Sequence, residues 1–215
     1  MIMEKQIKSS ARVRNHGEVL TARREVEAML DLVKNESERI DSRFLEPACG
    51  DGNFLVAILE RKLKTVSSKY KSKKADFEIQ MISAVGSIYG IDLLEDNVEI
   101  AQDRMLEIAC KCYKDSLKIN PDEDFKRILK FILKKNILQG DSLNGIDKIT
   151  FAQWTLVGYK FKREEFSFSQ LNQQAEIMNT PLFASLTNDK GEDVFIPQPI
   201  KEYPLTFYRN LGGLE

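Results

Sequence analysis

FLEPACGDGNFLVAILE, residues 44–60, sets two glycines, Gly50 and Gly52, in a small acidic turn between an apolar run and an amphipathic one. Ahead of the turn, RFLEP reads as a short strand that ends at proline. Behind it, Phe54, Leu55, Ile58, Leu59 and Leu63 recur at the spacing of one helical face. The unit is therefore strand, turn, helix. Glycines in such a turn allow close backbone approach and aim the N–H groups of the helix start at a ligand. By itself the turn suits a phosphate, a dinucleotide or tight packing alone.

Working outward, the unit repeats. QMISAVGSIYGIDLL (residues 80–94) is an apolar, β-compatible run that reaches Asp92, and the segment after it places Val98, Ala101, Met105, Ile108 and Cys112 on one helical face. PDEDFKRILKFILKK supplies another amphipathic helix, with Asn120-Pro121 as the turn that starts it. NILQGDSL then gives a third strand, ending in Asp141. Strand and helix alternate from residue 43 to about 143, the signature of a parallel sheet with helices packed on it. Upstream, TARREVEAMLDLVKN predicts a helix with Thr21 as N-cap and Val26, Met29, Leu30 and Val33 on its apolar face. Downstream, ITFAQWTLVGYKFKREEFSFSQL is rich in β-branched and aromatic residues and suits antiparallel strands, and the last stretch, with Pro197, Pro199 and Pro204, reads as an extended arm or edge element. The chain thus divides into an N-terminal helical segment (1–40), an α/β core (41–150) and a β-rich tail (151–215) that completes the sheet or forms a partner surface.

Bulk properties narrow the function classes. The chain has 215 residues, a formal charge of -1, 42% hydrophobic and 30% charged residues, which describes an ordinary globular protein with no global pull toward nucleic acid. The N-terminus lacks an apolar run of signal-peptide length, and no stretch approaches the roughly 20 apolar residues of a membrane span, so a cytoplasmic protein is expected. Cys49, Cys110 and Cys112 are odd in number and His16 is the single histidine, so neither a disulfide framework nor a metal site is indicated. The basic run from Arg61 to Lys74 is expected to continue the helix and then loosen into a surface loop; a solvated face is its plainer reading, a nucleic-acid or acidic-protein partner the sharper one.

Two acids at later strand ends sharpen the glycine turn. A carboxylate at Asp92 can accept hydrogen bonds from both hydroxyls of a ribose, and one at Asp141 can accept from the exocyclic amine of an adenine. Ligands of open α/β sheets bind at the carboxyl ends of the strands, so three such ends in sequence offer one site for an adenosine-type ligand. For each acid alone, a charge favoured by a helix N-terminus is the competing explanation.

FLEPACGDGNFL resembles the D-P-A-C-G-S-G-x-F-L motif of N6-adenine DNA methyltransferases of restriction-modification systems, with Glu46 standing for the first acid and Asp51 for the serine. IYGIDLLEDNVEIAQDRM and NILQGDSL are similar to the next two segments of that family. HGEVLTARREVEAML resembles its G-E/Q-x-F-T-P-x-x-x-V-x-x-M motif, with Leu20 in place of the aromatic and Ala22 in place of the proline. The resemblance spans residues 12 to 145. It implies a Rossmann-like class I methyltransferase fold, a mainly parallel sheet flanked by helices with a β-rich C-terminal extension, and S-adenosylmethionine as cofactor. Gly17 and Thr21 would hold the methionine end. Glu46, Gly50 and Gly52, with Pro47 and Ala48 between them, would lie against the amino-acid part and the sulfur. Asp92 would bind the ribose, Leu93 would pack on the adenine ring and Asp141 would take its amine, while Cys49 would be a small motif residue and not a nucleophile.

The family flips its target adenine onto an aromatic of an N/D-P-P-Y/F loop. This chain contains no Pro-Pro pair. Trp154, Tyr159 and Phe161, with Lys160, Lys162 and Arg163, occupy the expected position and could in principle stack a base and touch phosphates; an aromatic strand packed on the sheet or on a partner is the plainer reading. No catalytic residue is assigned. The expectation is a cofactor-binding protein unable to methylate DNA alone, with DNA and a second subunit carrying the target loop or recognition domain as implied partners. The alternatives are a pseudoenzyme or regulatory component of a restriction or phage-defence system, a methyltransferase of another substrate, and an α/β interaction module that binds no cofactor.

Overall fold

The computed structural model describes residues 21–169 and 198–213. Helices α1 (Arg23–Leu32) and α2 (Lys34–Glu38) precede strand β1 (Phe44–Glu46). A helical hairpin, α3 (Asn53–Tyr70) and α4 (Lys74–Gly86), leads to β2 (Ile88–Asp92), and a second, α5 (Glu95–Leu117) and α6 (Glu123–Asn136), leads to β3 (Ile137–Gln139). The strands are parallel in the order β1-β2-β3, with Glu46 opposite Gly90 and Asp92 opposite Gln139. Parallel neighbours require a crossover, and here each crossover is a pair of helices.

Side-chain alternation assigns the two faces of this sheet. Phe44, Ile88 and Ile137 point into the main core with Leu55, Leu59, Phe77, Met105, Leu129 and other helical residues. Leu45, Tyr89, Ile91 and Leu138 point the other way and meet Ile149, Phe151 and Phe168. Phe151 bridges them, with ring centroids 5.3 Å from Tyr89 and 5.8 Å from Phe168 in edge-to-face contact.

A separate antiparallel sheet follows. Strands β4 (Thr150–Val157) and β5 (Lys160–Ser167) form a hairpin that turns at Gly158, whose φ of 61° suits glycine, and the short β6 (Lys201–Glu202) and β7 (Thr206–Phe207) pair with β5. Antiparallel strands were expected here, and the described part of the proline-rich end is an edge element as read. A closing 3-10 turn, Tyr208–Gly213, is tied down at buried Glu78, which accepts hydrogen bonds from Tyr113 (2.8 Å) and Tyr208 (2.9 Å) and pairs with Arg209.

Three expectations from the sequence need correction. Residues 80–86 are helix, not strand: α4 carries Phe77, Ile79, Met81, Ile82 and Val85 buried, and a helix buried on most sides presents the same unbroken apolar run as a buried strand. The first helix begins at Arg23 with Ala22 at the N-cap and no side-chain cap, so Thr21 is one residue too early; of its expected apolar face only Val26 and Leu30 are buried, while Met29 and Val33 are exposed. Strand β3 stops at Gln139, which leaves Asp141 on the loop beyond it. The turn before α6 is as read, with Asp122 accepting from the N–H of Phe125 at 2.8 Å.

Candidate functional site

The glycine turn leaves the carboxyl end of β1, Asp92 closes β2, and the Gly140 N–H bonds the Asp92 carbonyl at 2.9 Å, so the turn and the ends of β2 and β3 share one edge of the sheet. The central contact is between side chain and turn. One oxygen of Asp92 accepts from the Gly50 N–H at 2.8 Å, and the other accepts from the Leu94 N–H and the Asn97 carboxamide, both at 3.0 Å. This single carboxylate joins the turn, the strand end and the start of α5.

Each sequence-predicted residue can be placed against that contact. Glu46 accepts from the Ala48 N–H at 3.3 Å, and its carboxyl is pushed up by burial, an effect the Ala48 bond partly offsets. Pro47 and Ala48 are exposed on the rim. Gly50 and Gly52 have φ of 55° and 89°. At Gly52 an added Cβ would stand 2.9 Å from the Cβ of Ala101, so this glycine lets α5 close against the turn. Leu93 is 52% exposed at the edge. Asp141 is engaged by its own loop, accepting from the Leu143 and Asn144 N–H groups at 2.9 Å and the Asn144 carboxamide at 3.1 Å, and the Asn144 and Leu143 N–H bonds hold its pKa below the usual value. Thr21 reaches the turn through its carbonyl, which accepts from the Asn53 carboxamide at 3.2 Å. Gly17 lies outside the described residues.

The electrostatics discriminate among ligands. The N–H groups of Ala48, Cys49, Gly50 and Gly52 are taken by Glu46, the Ile91 carbonyl, Asp92 and the Cys49 carbonyl respectively. A phosphate cradle needs such donors free. Glu46, Asp92 and Asp141 add three carboxylates along the same edge, beside the Asp51–Arg104 pair, and carboxylates repel a phosphate. Cys49 fills the space over Gly90, where an added Cβ would lie 3.1 Å from its sulfur. Burial first, then the charges of Asp92 and Glu46, push its thiol up to about 12, which removes it as a nucleophile.

Asn53, Asn97 and Arg104 also belong to this site, and sequence reading did not single them out. Arg104 of α5 donates to the Asp51 carbonyl (2.6 Å) and the Asn53 carboxamide oxygen (2.9 Å) and lies 3.0 Å from the Asp51 carboxylate. Its separation from the turn by about fifty residues carries no local signal. The aromatic residues suggested for base stacking are mostly spoken for: Phe161 is fully buried, Trp154 is 9% exposed with its indole N–H on Asn136 at 3.2 Å, and the Tyr159 hydroxyl bonds Asp76 at 2.9 Å. Arg163 is buried too, paired with Glu165 and lying 3.8 Å from the centroid of the Tyr203 ring.

The basic run does not reach the site. Helix α3 starts at the turn and its 18 residues carry the chain about 27 Å away, with Lys69 in its last turn and the lysines at 71, 73 and 74 beyond it. Lys62, from the same run, is fully buried and donates to the Arg39 and Ile40 carbonyls and the Ser87 hydroxyl (3.1, 3.1 and 2.8 Å) and to the Ser42 carbonyl. A recess of about 400 Å³ lined by Asp124, Arg127, Ile128 and Arg209 lies at the start of α6, the end that Arg209 ties to Asp122, and not at the strand ends. Among the described residues there is no His/Cys/Asp/Glu group suited to a metal ion and no helix long and apolar enough to cross a membrane. Compared with protein-family models, curated proteins and solved structures, the chain matches none.

Proposed function

We propose that the chain binds S-adenosylmethionine at the carboxyl edge of its parallel sheet, as a protein related to the N6-adenine DNA methyltransferases, and that it does not methylate DNA by itself. The observation that carries this reading is the Asp92 carboxylate bonded to the Gly50 N–H, which unites the glycine turn and the acid of the second strand in one site. The carboxylates of Glu46, Asp92 and Asp141 and the occupied N–H groups of the turn favour a ligand bearing a sulfonium, an ammonium and ribose hydroxyls over a pyrophosphate. The strand order β1-β2-β3 is that of one half of a doubly wound sheet, in which ligands sit outside the carboxyl ends of the strands. In this reading Asp92 takes the ribose hydroxyls, Leu93 covers the adenine, Asp141 takes its amine, and Glu46 with the residues to Gly52 and Thr21 wall the methionine end; Gly17 completes that wall. The class I methyltransferase fold belongs to the same proposal.

Transfer to an adenine needs a base held beside the sulfonium with its amine hydrogen-bonded. The segment that follows Asp141 instead enters a 3-10 turn and strand β4, which buries Phe151, Ala152 and Trp154. The target loop would therefore come from a second subunit, with DNA as the shared substrate; a regulatory role of a cofactor-loaded pseudoenzyme is the second reading, favoured by the same occupied aromatic positions. Titration calorimetry of S-adenosylmethionine into the native chain and into Asp92→Ala tests the binding. Saturable heat in the native chain, weakened at least tenfold in Asp92→Ala through loss of hydrogen bonds to a charged group, is expected; no heat in the native chain contradicts the proposal.

A further inference from the structure

The site is assembled from three separated pieces of chain, and two side chains to which the resemblance assigns no role join them. Asn53, the first residue of α3, faces both ways: its carboxamide oxygen accepts from Arg104 of α5 at 2.9 Å and its nitrogen donates to the Thr21 carbonyl at 3.2 Å. Arg104 also grips the Asp51 carbonyl at 2.6 Å and the Asp51 carboxylate at 3.0 Å. The guanidinium is planar and donates only, so its bond to the oxygen of Asn53 fixes which end of the carboxamide turns toward Thr21. Further along, α1 is held on α3 by Val26 and Leu30 and by ion pairs of Arg61 with Glu27 (2.6 Å) and Asp31 (2.7 Å). Arg23, the first residue of α1, also pairs with Glu60 of α3, and of the two described residues ahead of it Thr21 meets the turn through the Asn53 bond.

We propose that Arg104 and Asn53 are positioning residues: Arg104 orients Asn53, and Asn53 docks the backbone at Thr21 against the glycine turn, so that Thr21 is in place beside the turn before ligand arrives. The consequence for affinity rests on the cofactor reading above, whereas the docking does not. Asp51 has a defined task in this scheme, since its carboxylate supplies the partner that holds Arg104 over the turn.

The test uses the full chain and two readouts. Asn53→Asp keeps the acceptor for Arg104, suits a helix N-terminus, and replaces the donor to Thr21 with an oxygen that repels its carbonyl. Without ligand, amide exchange at residues 22–30 is expected to rise about five- to tenfold in Asn53→Asp, the worth of one hydrogen bond, with the melting temperature unchanged. S-adenosylmethionine affinity should fall by a similar factor. Arg104→Leu should do the same, and Arg104→Lys, which cannot fork between the two oxygens, should lie between it and the native chain. Exchange at 22–30 that stays native in both Asn53→Asp and Arg104→Leu overturns the proposal, as does a rise spread evenly over the whole chain, which marks a merely structural role. A native chain that takes up no cofactor instead overturns the proposed function, and the exchange data then decide the docking alone.

Discussion

Lys62 is a lysine with no water around it, set on the core side of α3 and surrounded by oxygens of the 39–42 loop and Ser87. Burial lowers its pKa to about 7 from 10.5, with the charges of Asp41 and Glu36 opposing the shift. Between those values the unfolded chain holds a proton that the folded chain gives up, so native stability rises with pH from about 7 toward 10.5. Lys62→Met leaves the carbonyls unpaired and should lower the unfolding free energy by roughly 3 kcal/mol near pH 7 while flattening the rise toward pH 9, both read from urea melts. An unchanged slope would assign the pH dependence elsewhere. The sequence offered Lys62 only as one of a basic run, because the surrounding carbonyls lie twenty or more residues away. Gly52 was easier to find than to explain: its place in the turn is plain in the sequence, but the neighbour that demands glycine, Ala101, comes from another helix.

At the scale of elements, patterns with one wet face were readable and patterns with none were not. Helix α6 alternates cleanly between buried Phe125, Ile128, Leu129 and Ile132 and exposed lysines, and the sequence places it within two residues. Helix α4 has no exposed residue from Phe77 to Gly86, Gln80 and Ser83 being half-buried, so its apolar run continues into β2 and reads as one strand. The β4–β5 hairpin shows the same limit in its function. Aromatic residues after the third strand suggested base stacking, yet Trp154 packs against Gly86 and Phe131 and fastens the hairpin to the helices. Trp154→Ala should therefore cost about 3–5 kcal/mol of stability, the range for truncating a buried tryptophan. A change within about 0.5 kcal/mol, typical of an exposed residue, would return Trp154 to the list of candidate ligand contacts.

For the whole molecule, charge is separated along the helices. Carboxylates gather at the carboxyl edge of the sheet, where α3 and α5 begin, and lysines gather where α3 ends. Helices α3 and α5 run side by side in the same direction, Gly52 against Ala101 at one end and the Ser67 hydroxyl 2.9 Å from that of Ser116 at the other, so the two ends stay apart. At the lysine end, Lys73 and Lys74 pair with Asp76, Glu78 and Asp122, so part of that charge is met within the chain. The turn and Asp92 were legible because they sit at the ends of adjacent strands, whereas Asp141 lies on the loop beyond β3; Asn53, Asn97 and Arg104, which tie the turn to its neighbours, act across elements and left no local trace. Amide exchange of the native chain with and without saturating S-adenosylmethionine tests the central claim most directly. Protection confined to residues 17–22, 46–53, 92–97 and 139–144 is the predicted result, and protection absent there, or appearing instead at the recess beside Arg127 and Arg209, would contradict it.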